Sequence, residues 1–169
     1  MRDNFAENKI AFYNLHKKIY LFLRESMSLK TLHDLSVILK LENKEFNLSD
    51  NQSPLFSSLR TAVIAVDEIG LKQSTVCSIL LINAFESGGV TLKQVEDYFG
   101  EEIKVILQGL TKVHEFERKK SDDRSDNYVK LLLSFIKDIR VIFIVIAMRL
   151  QQMRDAKEIN EKERFDIGV

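Results

Sequence analysis

The stretch Asp138-Ile139-Arg140-Val141-Ile142-Phe143-Ile144-Val145-Ile146-Ala147-Met148-Arg149-Leu150-Gln151-Gln152-Met153-Arg154 decides the fold. Its first half, Val141 to Ile146, is rich in β-branched residues and has the composition of a buried strand. Its second half, Ala147 to Arg154, consists largely of strong helix formers and continues without a Gly, a Pro or a turn signal. No other segment offers a strand to pair with. The whole stretch therefore reads as one long helix, apolar all round and buried as a central core helix would be. That reading makes the chain all-α.

Outward from this helix the pattern is consistent. One Pro and six Gly in 169 residues leave few places to break the chain. Ser53-Pro54 supplies a cap and a first-turn proline for Leu59, Ala62, Val63, Val66 and Ile69, which recur at helical spacing before Gly70. An apolar helical stretch around Val76 to Leu81 closes at Glu86, with Gly88-Gly89 as its terminator. Thr91 and Gln94 form part of a capping box for a short helix ending near Tyr98. After Gly100, Ile103, Ile106, Leu107, Leu110 and Val113 repeat the helical spacing. Two N-terminal helices are predicted over about Phe5 to Glu25 and Leu29 to Leu41, and another over Ser125 to Ile136. The polar run Arg118 to Asp126 reads as a solvated, mobile loop.

Composition narrows the function classes. Hydrophobic residues make up 45% and charged residues 30%, an ordinary balance for one globular domain with a real core. With 25 Lys+Arg against 25 Asp+Glu there is no basic excess for nucleic acid. Cys77 is the one cysteine, which excludes a disulfide framework and a Cys-based metal site. No apolar h-region follows the N-terminus, and Val141 to Met148 falls short of the roughly 20 residues that span a bilayer. A cytoplasmic domain without membrane attachment is the expectation.

Catalytic constellations are sparse. His16, His33 and His114 fall on three predicted helices with no metal-ligand spacing between them. Cys77 has the surroundings of a small buried side chain. Glu86 could serve as a pocket acid, but composition favours a solvated glutamate at a helix end. By residue chemistry alone the chain is a helical domain without an assigned purpose.

Four ordered segments supply more. They are Phe99-Gly100-Glu101-Glu102-Ile103; Gly109-Leu110-Thr111-Lys112-Val113; Asp126-Asn127-Tyr128; and Asp138-Ile139-Arg140-Val141-Ile142 onward to Arg154. In order and spacing they resemble the N-terminal HD-type hydrolase domain of the RelA/SpoT family, the long stringent-response enzymes that make and break (p)ppGpp. The resemblance covers about Ser58 to Arg154 and implies a compact multi-helix HD-like bundle. It divides the chain into divergent N-terminal helices packing on the core (residues 1–52), a degenerate HD core (53–157), and the start of a connector towards a synthetase domain (158–169).

The resemblance also implies a metal site, and here the sequence departs from the pattern. Family hydrolases hold manganese with a His, a His-Asp pair and the Asp of an Ala-Asp-Arg triplet. The corresponding positions are Ser58, Ile82-Asn83 and Met148. The catalytic Glu-Asp pair corresponds to Glu86-Ser87, which is then vestigial. Mn²⁺ favours carboxylate oxygens and imidazole nitrogens, whereas Ile82 has no lone pair and Met148 only a soft thioether. The expectation is no bound metal or other cofactor, no metal-activated water to attack the 3′-pyrophosphate ester, and a former pocket closed into ordinary core.

The family's basic guanosine-binding residues have no counterpart in Phe46 to Gln52, and its Asn-x-Arg-Lys stretch reads Asn127-Tyr128-Val129-Lys130. The leading expectation is thus a catalytically inactive regulatory domain, the N-terminal segment of a RelA-like GTP pyrophosphokinase whose partner is its own synthetase domain. One alternative is a pseudoenzyme that senses (p)ppGpp or GDP through Thr111, Lys112, Asn127, Lys130, Asp138 and Arg140. Another is a helical interaction module that uses the divergent residues 1–51.

Overall fold

Between Gln73 and Glu86 the chain has no polar face: every residue from Thr75 to Ile82 is buried, as is Ala84. A helix of that kind has to be surrounded on all sides. The computed structural model describes residues 2–42, 53–119 and 138–156. In chain order the described helices are α1 (Arg2–Arg24), α2 (Leu29–Glu42), α3 (Pro54–Asp67), α4 (Gln73–Glu86), α5 (Leu92–Phe99), α6 (Glu101–Lys119) and α7 (Ile139–Asp155). Helix α4 touches α1, α2, α3, α6 and α7. No strand occurs among the described residues. The fold is all-α.

The local signals act as the sequence predicts. Ser53 Oγ accepts from the Phe56 amide at 3.3 Å, and Pro54 fills the first turn of α3. The capping box is complete: Thr91 Oγ1 accepts from the Gln94 amide at 3.3 Å, and Gln94 Oε1 accepts from the Thr91 amide at 2.9 Å. Gly100 sits at φ 92° and ψ 167°, a conformation open essentially to glycine, and turns the chain from α5 into α6. Ile19 and Leu23 of α1 and Leu32 and Leu35 of α2 join the same core as α3 and α4. Cys77 is fully buried, and burial pushes its thiol far above the usual range, so it is a packing residue.

Two expectations change. Helix α6 runs on through Arg118 and Lys119, two residues that read as loop. The stretch beginning at Asp138 is a helix, but it is not the central one. Its buried side chains are Val141, Ile144, Ala147 and Gln151, a single stripe facing α3, α6 and α4. Ile139, Phe143 and Ile146 lie on the other side, 61%, 39% and 50% exposed. Apolar composition alone gives no face, and packing on one side selected one. The centre belongs to α4. The predicted helix Ser125 to Ile136, with most of the predicted loop before it, lies outside the described residues.

Helix α7 is tied at its C-terminal end. Arg60 of α3 reaches Asp155 at 2.7 Å while its guanidinium lies over the Phe56 ring, and Gln151 donates to the same carboxylate at 2.8 Å. Along its length α7 approaches α6 at Gly109, where an added Cβ would stand 2.6 Å from Val141 Cγ2. Val141 is β-branched and buried, so it has no rotamer to retreat into. Gly109→Ala should therefore lower stability by about 1 kcal/mol, because overpacking of about 1–3 kcal/mol outweighs the helix-propensity gain of about 1 kcal/mol. Urea unfolding checks this, and adding Val141→Ala should make the double variant less destabilised than the sum of the two single changes.

One buried hydroxyl, Thr75 Oγ1 on α4, has no hydrogen-bond partner among the described residues. Thr75→Val keeps the shape and removes the unsatisfied group. It should raise stability by about 1 kcal/mol, read as a higher urea midpoint at unchanged slope.

Candidate functional site

Ser58, Ile82, Asn83 and Met148, which the family resemblance sets against metal-ligand positions, lie on three helices in mutual contact, α3, α4 and α7. Ser58 is buried on α3 at 7% exposure. Asn83 lies on the last turn of α4 and donates through Nδ2 to Ser58 Oγ at 3.1 Å. The two polar groups at the junction therefore satisfy one another, as buried polar groups must. Beside Asn83, Ile82 is 1% exposed and part of the core. Met148 on α7 is partly buried against that core. No group of three or more His, Cys, Asp or Glu side chains with metal-site geometry occurs among the described residues.

Glu86 and Ser87 sit at the end of α4. Ser87 Oγ donates to the Ala84 carbonyl at 3.1 Å and so closes its own helix. Glu86 is not a freely solvated carboxylate. Its Oε1 lies 2.8 Å from His114 Nδ1 on α6, with both side chains about four-fifths covered, at 22% and 21% exposure. Arg118, one turn further along α6, stands 4.0 Å from the same oxygen. Sequence reasoning missed this pair, because 28 residues and a helix-helix contact separate its members. The only signal available was a His at one helical turn before an Arg, facing an apolar helix that ends in Glu.

Among the described residues, those proposed for nucleotide binding do not converge. Asp138 caps α7 by accepting from the Arg140 amide at 3.0 Å, and the Arg140 guanidinium returns to the same carboxylate at 2.6 Å. Arg140 also pairs with Glu102 at the start of α6 and contacts Ser74 Oγ at 3.4 Å. Thr111 Oγ1 donates to the Leu107 carbonyl of its own helix at 3.0 Å, and Lys112 is exposed. Nine residues of helix separate Thr111 from Glu102, roughly 14 Å. Asn127 and Lys130 lie outside the described residues, as does Phe46 to Gln52.

With this geometry in view, the relatives can be placed. The family model described as HD domain matches residues 38–168, and the chain belongs to that family, as an HD region of the RelA/SpoT type. It is 30% identical over 116 residues to the GTP pyrophosphokinase rsh of Brucella ovis, covering 68% of this chain and 16% of that protein. It is 28% identical over 101 residues to the guanosine-3′,5′-bis(diphosphate) 3′-pyrophosphohydrolase of Aquifex aeolicus, covering 60% of this chain and 14% of the relative. The bifunctional (p)ppGpp synthase/hydrolase SpoT of Escherichia coli is 24% identical over 158 residues, 93% of this chain and 22% of its own length. The chain thus spans less than a quarter of each of these relatives. No described helix is long and apolar enough to cross a membrane.

Asp138 offers a direct test of its role. Arg140 beside it, through side-chain and backbone hydrogen bonds, holds its carboxyl below the usual range. A depressed folded pKa gives stability that is complete above the unfolded value and is lost as pH falls through the folded one. Asp138→Ala should cost about 1–2 kcal/mol at pH 7. The gap between variant and parent should narrow as pH falls below about 4, the ordinary carboxylate value, towards the lower pH at which the folded parent's carboxylate loses its charge. Urea titrations at several pH values measure it.

Proposed function

We propose that this chain is a catalytically inactive (p)ppGpp hydrolase-like domain, acting as a regulatory segment of a RelA-like GTP pyrophosphokinase. The observation that carries the reading is the Asn83–Ser58 hydrogen bond, at positions where family hydrolases hold a metal ion. An amide and a hydroxyl already bonded to each other are poor ligands for a hard divalent cation, which favours charged oxygens and imidazole nitrogen. Ile82 has no lone pair to offer, and the Met148 thioether is a soft donor. The residues present do not fit Mn²⁺, and no hydrolytic step is assigned to them.

Glu86 cannot substitute for the missing ion. A lone carboxylate paired to His114 supplies no Lewis acid for the developing charge at phosphorus. Sensing of (p)ppGpp or GDP has less support, since Arg140 is engaged by Asp138 and Glu102 and stands apart from Thr111 and Lys112. Support for a regulatory role is the exposed apolar ladder Ile139, Phe143 and Ile146 on α7, a face of the kind that a neighbouring domain covers. Regulation would require that cover to differ between two states of the parent protein.

The test is to incubate the chain with ppGpp and excess Mn²⁺ and to resolve the nucleotides by chromatography. The expected result is intact ppGpp. Release of pyrophosphate by the unmodified chain overturns the reading. Restoring the ligand types together (Ser58→His, Ile82→His, Asn83→Asp and Met148→Asp) should be required before Mn²⁺ binds with one-to-one stoichiometry in calorimetry.

A further inference from the structure

Away from that junction, a hollow of about 310 Å³ opens between α1 and α2, over the core side of α3 and α4. Interiors hold few voids larger than a water molecule, and this volume is in the range of small-molecule pockets. Its floor is aliphatic: Leu23, Leu32, Leu35, Leu59 and Leu80 line it, each 2–5% exposed. Its rim is polar and outward, with His16, Tyr20, Ser36 and Lys40. None of the lining residues is acidic.

The rim carries one positive charge. The His16 ring stacks between Phe12 and Tyr20, with centroids 6.0 and 6.4 Å away. Burial lowers the His16 pKa and so disfavours a charged ring. Lys40 is exposed and has no ion pair among the described residues. A nucleotide fits this lining badly. Its base and sugar would lose hydrogen bonds to water against leucine side chains, and its phosphates would meet a single cation. A saturated chain has no hydrogen bonds to lose and gains from burial on the same floor. A single negative charge at its end would complement Lys40.

We propose that the hollow between α1 and α2 binds a fatty acid, with its alkyl chain on the leucine floor and its carboxylate beside Lys40. This site is separate from the Ser58–Asn83 junction and does not depend on the regulatory reading. The probe is dodecanoate, titrated calorimetrically into the full chain below its micellar concentration, with butanoate as the head group without the chain. Dodecanoate should bind saturably at one site, and butanoate should not bind. Lys40→Gln, an exposed change that leaves the core intact, should weaken dodecanoate about fivefold. Leu35→Phe, which fills the hollow, should remove binding while the helical circular dichroism is retained. Absence of saturable dodecanoate binding overturns the proposal, as does equal affinity in both variants, which would mark surface adsorption. Equal binding of butanoate would reduce the site to a bare cation and also overturns it.

Discussion

Helix α4 is buried at every position from Thr75 to Ile82, and the rest of the structure is arranged to meet that requirement. Helices α1, α2, α3, α6 and α7 each cover part of it. Each fully buried Leu or Ile on such a helix contributes roughly 1.5–3 kcal/mol, which is why its surroundings cannot be left open. The same burial sets the chemistry at its C-terminal end. Ile82 goes into the core, and Asn83 turns to α3, where its amide needs a partner and finds Ser58. One turn later Glu86 emerges beside α6 and meets His114.

Much of the fold was legible because the helix signals are local. Ser53-Pro54, the Thr91–Gln94 box and Gly100 each act within four residues, so a linear reading finds them. The rank of the helices was not legible in the same way. Both α4 and the stretch from Val141 to Ile146 are apolar on every side, and only the packed arrangement decides which is surrounded. Helix α7 packs one stripe and leaves Phe143 and Ile146 outward; α4 is enclosed. A count of apolar residues carries no information about how many neighbours a helix will have.

The site divides along the same line. Motif order is what sets Ser58, Ile82, Asn83 and Met148 against ligand positions on the proposed reading, and their helices are in contact. That Ser58 and Asn83 would bond to each other did not, since a hydroxyl and an amide 25 residues apart have no sequence signal for pairing. The Glu86–His114 pair and the leucine-floored hollow are likewise products of helix packing. Asp138 and Arg140 show the converse: residues that look like ligand contacts in a motif can be a helix cap and its partner. On the proposed reading the HD scaffold keeps its helices while the side chains at the ligand positions change character, as fold alone does not fix activity.

On the proposed reading the junction of α3, α4 and α7 is self-sufficient, held by an internal hydrogen bond and apolar packing instead of an ion. The most direct measurement is the melting temperature of the chain in EDTA and in millimolar Mn²⁺. A ligand that binds the folded state at about 100 times its Kd adds about 2.7 kcal/mol, several degrees for a domain of this size. Coincident melting curves are the predicted result. A rise of several degrees in Mn²⁺, reversed by EDTA, would mean that an ion belongs to the folded domain and would contradict the closed junction.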